Sequence, residues 1–118
     1  MENATKKAVI YCRTACGMQY SALVQQADAC RAYAEANGYE VAEILYDSGQ
    51  SGISRTRPGL LKLLDMIGAE SAPQAVITPS ACRISRNWRD CYELCRTIEE
   101  RGMKVLFVQH ANPFEGVA

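Results

Sequence analysis

Two arginines three residues apart, Arg83 and Arg86, are the residues of this sequence best suited to chemistry. An apolar run at 74–78 precedes them and predicts a short buried strand, and a helix is predicted to begin near Asn87, a good helix-capping residue. Residues three apart at the start of a helix share a face, so both guanidinium groups can converge on one anion. Arginine's planar fork of donors suits phosphate better than lysine does. Spacing alone leaves open a second interpretation, in which both are solvated loop residues.

Composition predicts a single globular domain over residues 1–118. The chain is 48% hydrophobic and 22% charged, which is enough apolar material for an ordinary core. Thirteen basic and thirteen acidic residues cancel, so a polyanion site must be a local cluster, without an overall basic field. The N-terminal segment has neither a signal peptide nor a membrane span, and we therefore expect a cytoplasmic protein.

The six cysteines predict thiols, without a metal site. They include no Cys-x-x-Cys pair, and His110 is the single histidine of the sequence. Cys91 and Cys95 are four apart on a predicted helix, which favours two thiols on one helix face. The sequence also lacks the glycine-rich patterns that cradle nucleotides, so we expect neither a cofactor nor a metal.

Strands and helices alternate along the chain. The hydrophobic pattern predicts strands at 7–12, 40–46, 74–78 and 104–108, and helices at 21–36, 58–67 and about 87–101. Helices of this length between strands imply right-handed crossovers and a mainly parallel sheet with helices on both faces. The prediction is therefore a three-layer α/β fold.

Three predicted loops follow strands at the carboxyl edge of this sheet, where α/β proteins bind ligands. They span residues 13–20, 47–57 and 79–87. These loops contain five arginines: Arg13, Arg55, Arg57, Arg83 and Arg86. Arginines from three loops at one edge predict a phosphate pocket, and the missing nucleotide patterns favour the phosphate of a polymer.

The order of several motifs resembles a known family, the N-terminal catalytic domain of serine recombinases. The resemblance extends over nearly the whole chain and is nearest to large serine integrases and transposon recombinases of the resolvase and invertase family. It implies a resolvase-like fold with flavodoxin-like strand order. The motifs are Tyr11-Cys12-Arg13, Gln19, the helical segment 26–39, Asp47-Ser48-Gly49-Gln50-Ser51-Gly52, Arg57-Pro58-Gly59-Leu60 and Arg83-Ile84-Ser85-Arg86-Asn87.

The resemblance implies DNA recombination without a metal. In this family a serine in the first loop attacks a DNA phosphodiester and becomes linked to the 5′ phosphate, and strands are exchanged by subunit rotation in a tetramer. The implied partners are therefore DNA and other recombinase subunits, in a homo- or hetero-oligomer. Stabilisation of the scissile phosphate is implied for Arg13, Arg57, Arg83 and Arg86, and DNA contacts for Gln19 and Arg55.

Two positions depart from the family pattern at the reacting centre. Ala15 stands where the family has its nucleophilic serine, and Cys82 stands where aspartate commonly precedes the first arginine of Arg-x-x-Arg. An alanine has no lone pair with which to attack phosphorus, so we expect an inactive chain. The sequence does not say whether Ala15 is natural or engineered. Two further hypotheses stay open. Cys16 acts as a substitute nucleophile, although an extended loop would point it to the opposite face, or Cys16 and Cys82 form a redox pair or half of a metal site.

Two functions from different classes follow. The first is the catalytic domain of a site-specific recombinase, impaired at position 15. The second is a non-catalytic module that binds or regulates an intact recombinase, with Trp88 and Tyr92 either at the contact or in the core. In the family a long dimerisation helix and DNA-binding domains follow this domain, and the chain is expected to stop before them. We therefore expect weak, salt-sensitive DNA binding through phosphate contacts.

Overall fold

Four parallel strands and three helices form the part of the chain described by this computed structural model, residues 6–14, 20–48, 58–67, 73–80, 84 and 88–109. The strands run in the order β2-β1-β3-β4, and every neighbouring pair is parallel. This confirms the predicted α/β fold and its strand order. The strands are β1 (Lys6–Thr14), β2 (Tyr39–Ser48), β3 (Ala75–Thr78) and β4 (Lys104–Phe107), and the helices are α1 (Tyr20–Ala36), α2 (Pro58–Met66) and α3 (Trp88–Glu100).

The three layers follow from the alternation of side chains along the strands. Ile10 and Ile77 point to the face covered by α1, whereas Val9 and Val76 point to the face covered by α2 and α3. Helix α1 packs against the sheet through a buried stripe of residues at helical spacing, and most of these residues are small. The stripe consists of Leu23, Ala27, Cys30 and Ala34. The sheet is therefore buried on both faces, as the continuous apolar runs predict.

The first two strands extend further than the sequence predicts. Arg13 and Asp47 were expected in loops, but both lie on strands, where they are register partners, and Thr14 pairs with Ser48. Both are also buried. In the sequence, a charged residue at a strand end looks like a loop residue. Only its pairing with the neighbouring strand shows that the strand continues past it. The loop boundaries at 13 and 47 were therefore wrong.

A switch point lies between β1 and β3, the two central strands. The chain leaves β1 through α1 on one face and leaves β3 through α3 on the opposite face. Connections that depart to opposite faces open a crevice at the carboxyl ends of the two strands, and in α/β sheets ligands bind there. In the described part of the chain, no helix has the length and apolar character that a membrane crossing requires.

Four cysteines are packed as small apolar residues in the core. Cys12 and Cys30 lie in the layer under α1, and Cys91 and Cys95 lie on the inner face of α3. The hydrogen bond with Cys91 and burial both raise the pKa of the Cys95 thiol, so this thiol stays protonated. The pair thus forms the helix-face thiols that its spacing predicts. Tyr92 packs against the same core, while the side chain of Trp88 lies outside the described residues.

We predict that these four thiols are unreactive in the folded protein, because a thiol buried in the core is out of reach of a reagent in solution. Of the six cysteines, no more than two should react quickly with an aromatic disulfide reagent, and all six should react in denaturant. Mass spectrometry of the labelled peptides would identify the reactive positions. Rapid labelling of Cys95 in the folded chain would contradict this packing.

Candidate active site

Arg13 occupies the carboxyl end of the central strand β1, beside the switch point. It is only 1% exposed, whereas the sequence analysis placed it in a surface loop. A buried guanidinium is tolerated only when the protein supplies partners for it, because its desolvation is costly. Arg13 is therefore held by the protein before any ligand arrives, and it is less accessible than a surface arginine.

The carboxylate of Asp47 connects β1, β2 and α2. It is 3% exposed and accepts three hydrogen bonds. Oδ1 accepts from the backbone N–H of Gly59 at 2.7 Å, and Oδ2 accepts from the N–H of Leu60 at 2.9 Å and from the hydroxyl of Tyr11 at 2.7 Å. Pro58 at the first position of α2 has no N–H to satisfy, so Asp47 caps the next two donors. A negative charge at a helix N-terminus is also favoured by the helix dipole.

Gly59 lets α2 approach β2 closely enough for this cap to form. A Cβ atom at position 59 would lie 2.8 Å from the carbonyl oxygen of Tyr46 and 3.0 Å from Oδ2 of Asp47. Both distances are shorter than van der Waals contact. The glycine is therefore required by the packing of the helix against the strand end.

Ile84 anchors the Arg-x-x-Arg segment in the core. It is fully buried, and it belongs to the same cluster as Tyr11, Leu60 and Cys91. Ile84 lies between Arg83 and Arg86 in the sequence, so the segment that carries the two arginines is tied to the sheet by an apolar side chain.

Most of the predicted site residues lie outside the described part of the chain. The residues that flank them are described. Strand β1 ends at Thr14, β2 ends at Ser48, α2 begins at Pro58 and β3 ends at Thr78. All three strand ends belong to the carboxyl edge of the sheet. The predicted residues outside the description are Ala15, Cys16, Gln19, Arg55, Arg57, Cys82, Arg83 and Arg86. No group of three or more His, Cys, Asp or Glu side chains is placed to hold a metal ion among the residues that are described.

The sequence analysis included four residues that organise this edge in its motifs but assigned no role to any of them: Tyr11, Gln26, Asp47 and Ile84. For Asp47 a signal was present. The first turn of α2 has no acidic residue of its own, and arginine precedes its proline, so the helix needs a capping group from elsewhere. For Gln26 no signal was present, because a glutamine on a polar helix face is indistinguishable from a solvated one.

These features define the class of protein: a parallel α/β domain with a buried arginine at its switch point and with further arginines in the sequence that follows β2 and β3. The sequence matches the family described as "Resolvase, N terminal domain" over residues 8–116. The chain belongs to this family and is a catalytic domain of the serine recombinase type.

Solved structures of recombinase domains resemble this fold. The C-terminal catalytic domain of ISC1926 TnpA, an IS607-like serine recombinase, is 31% identical with a TM-score of 0.79, covering 86% of this chain and 70% of its own. The N-terminal catalytic domain of TP901-1 integrase is 26% identical with a TM-score of 0.84, covering 95% and 85%. A resolvase family site-specific recombinase from Streptococcus pneumoniae, 21% identical, shares the fold with a TM-score of 0.76 and coverage of 91% and 74%. Among curated protein sequences, none matches this chain.

We predict that Gly59→Ala destabilises the domain, although glycine to alanine inside a helix ordinarily stabilises by about 1 kcal/mol. The added methyl group must displace the carbonyl of Tyr46 or the carboxylate of Asp47, which should lower the free energy of unfolding by roughly 1–3 kcal/mol. Urea denaturation measures the change. Gly38→Ala is the control, since Gly38 has a positive φ of 80° but open space around its Cβ position, so it reports backbone strain without a clash. A neutral or stabilising Gly59→Ala would contradict the close approach.

We also predict that Tyr11 and Asp47 are energetically coupled. Tyr11→Phe removes one neutral donor and should cost about 1 kcal/mol, whereas Asp47→Asn removes the charge and one acceptor and should cost roughly 2–3 kcal/mol. Because the two side chains share one hydrogen bond, the double variant should lose less than the sum of the single variants. Chemical denaturation of all four proteins gives the coupling. Strictly additive losses would show that the shared hydrogen bond contributes nothing.

Proposed function

We propose that this domain holds a DNA phosphodiester at the carboxyl edge of β1 and β3 and does not cleave it through position 15. Membership of the resolvase family over residues 8–116 supports the DNA substrate. The observation that carries the second part is Ala15, which has no hydroxyl where the family has its nucleophile. The domain would therefore bind the backbone of DNA without forming a phosphoserine link.

The proposed chemistry of the family reaction assigns a role to each arginine. A serine oxygen forms a bond to phosphorus, the bond from phosphorus to the 3′ oxygen breaks, and the proton of the serine is balanced by protonation of that leaving oxygen. The pentacoordinate phosphate gathers negative charge, which preorganised guanidinium groups oppose. We assign this role to Arg13, Arg57, Arg83 and Arg86, and DNA contacts to Gln19 and Arg55.

The proposed partners are DNA and further recombinase subunits. The family acts as dimers and tetramers, and we propose an oligomer of this kind, either with identical chains or with an intact recombinase. A cytoplasmic location belongs to the same proposal, because the protein must meet DNA. Phosphate contacts should dominate DNA affinity, so binding should weaken steeply as salt is raised.

A second candidate is a non-catalytic module that binds an intact recombinase. Two changes at the reacting centre favour it, since both Ala15 and Cys82 replace residues that the family uses while the fold is retained. The two candidates differ in a measurable way. An impaired catalytic domain regains DNA cleavage when the lost groups are restored, and a specialised module does not.

We predict that Ala15→Ser combined with Cys82→Asp restores covalent capture of DNA. The substrate is a nicked duplex taken from the ends of the mobile element that encodes the chain, in a protein that includes whatever natural sequence follows residue 118. The protein–DNA adduct is detected on a denaturing gel. The unchanged chain should give no adduct, because it lacks the attacking oxygen.

Ala29→Ser is the matched control, since it adds a hydroxyl to an exposed position of α1 that is not among the predicted site residues. An adduct with the unchanged chain would overturn the proposal and would direct attention to Cys16 as nucleophile. A double variant that binds DNA but stays inert would favour the interaction module. In that case the unchanged chain should co-purify with an intact recombinase from the same cell.

A further inference from the structure

The side chain of Gln26 makes two hydrogen bonds with the backbone of Arg13. The N–H of Arg13 donates to Oε1 of Gln26 at 3.2 Å, and Nε2 of Gln26 donates to the carbonyl oxygen of Arg13 at 3.2 Å. The single side-chain amide of Gln26 thus supplies one acceptor for the backbone N–H of Arg13 and one donor for its C=O. Gln26 thus offers Arg13 what a residue of a neighbouring strand would offer.

The hydrogen bonds to Gln26 lie at the switch point of the sheet. β2 follows β1 as far as Thr14, and the described pairing of β3 with β1 covers Ala8 to Ile10. In a parallel ladder, successive residues direct their N–H and C=O groups alternately to the two neighbouring strands. At Arg13 the side chain of Gln26 bonds to both of these backbone groups.

The position of Gln26 in the sequence gives this pair a second effect. Gln26 lies on α1, and Arg13 lies near the end of β1, so their hydrogen bonds close the connection between the strand and the helix. That connection contains position 15. The end of β1 is thereby fixed both to α1, through Gln26, and to β2, through the Arg13–Asp47 register.

We infer that Gln26 is a positioning residue, which fixes the backbone of Arg13, two residues before position 15 in the sequence. The inference rests on the proposed function only for its catalytic consequence. An amide is required because it both accepts and donates: glutamate has the same shape but cannot donate to the Arg13 carbonyl. Glutamine at this site therefore acts on the backbone, without contacting the substrate.

The first test measures amide hydrogen exchange in the unchanged chain and in the Gln26→Ala variant. Exchange at Arg13 should accelerate by about tenfold or more, while the amides of Val9 and Ile10 in the same strand keep their protection. Gln25→Ala, an exposed neighbour on the same helix, is the matched control and should change nothing at Arg13. Unchanged exchange at Arg13 overturns the inference. Acceleration spread equally over the domain also overturns it, because it would indicate a general loss of stability.

The second test separates positioning from folding in the Ala15→Ser, Cys82→Asp background. Gln26→Glu should lower the rate of covalent capture by about tenfold or more, with the Kd for the same duplex within about twofold, and Gln25→Glu should leave both unchanged. Equal capture rates for the Gln26→Glu variant and its parent overturn the catalytic consequence. If the parent itself captures no DNA, the proposed function fails, and the exchange test alone decides the role of Gln26.

Discussion

The buried carboxylate of Asp47 is the constraint on which the arrangement of this edge depends. It stands at the end of β2, receives the hydroxyl of Tyr11 from β1 and caps the N-terminus of α2. A single charged group thus fixes two strand ends and one helix start relative to one another. This cap also holds Asp47 and Gly59 together, and these two residues lie before and after the segment 49–57 in the sequence. Burial makes each of these hydrogen bonds stronger than it would be in water.

The same principle recurs at the other two arginine-bearing segments. Ile84 ties the Arg-x-x-Arg segment to the core through apolar burial, and the amide of Gln26 ties Arg13 to α1 through the backbone. Both contacts are made by neutral groups, one through apolar burial and the other through hydrogen bonds to the backbone.

The sequence predicts the layers of this fold well and its strand ends poorly, for one physical reason. Continuous apolar runs and apolar residues at helical spacing indicate burial, so the core strands 7–12 and 74–78 and the helix stripe of α1 are visible in the sequence. Arg13 and Asp47 are buried because of partners distant in sequence, and a residue type does not carry that information. Ile84 was hidden in a similar way: between two arginines it has the appearance of a loop residue. The arginines could be proposed as site residues because residue type and motif order alone indicate their chemistry.

The strand order has a consequence for the synthesis of the chain. β1 is made first but occupies the centre of the sheet, where Ala8 pairs with both Val41 and Ala75. Until the chain has been synthesised through residue 78, β1 has at most one neighbouring strand. Non-local parallel pairing of this kind is slow, and apolar surface stays exposed to aggregation until the pairing is complete. The central strand can therefore complete its pairing only after β3 has been made.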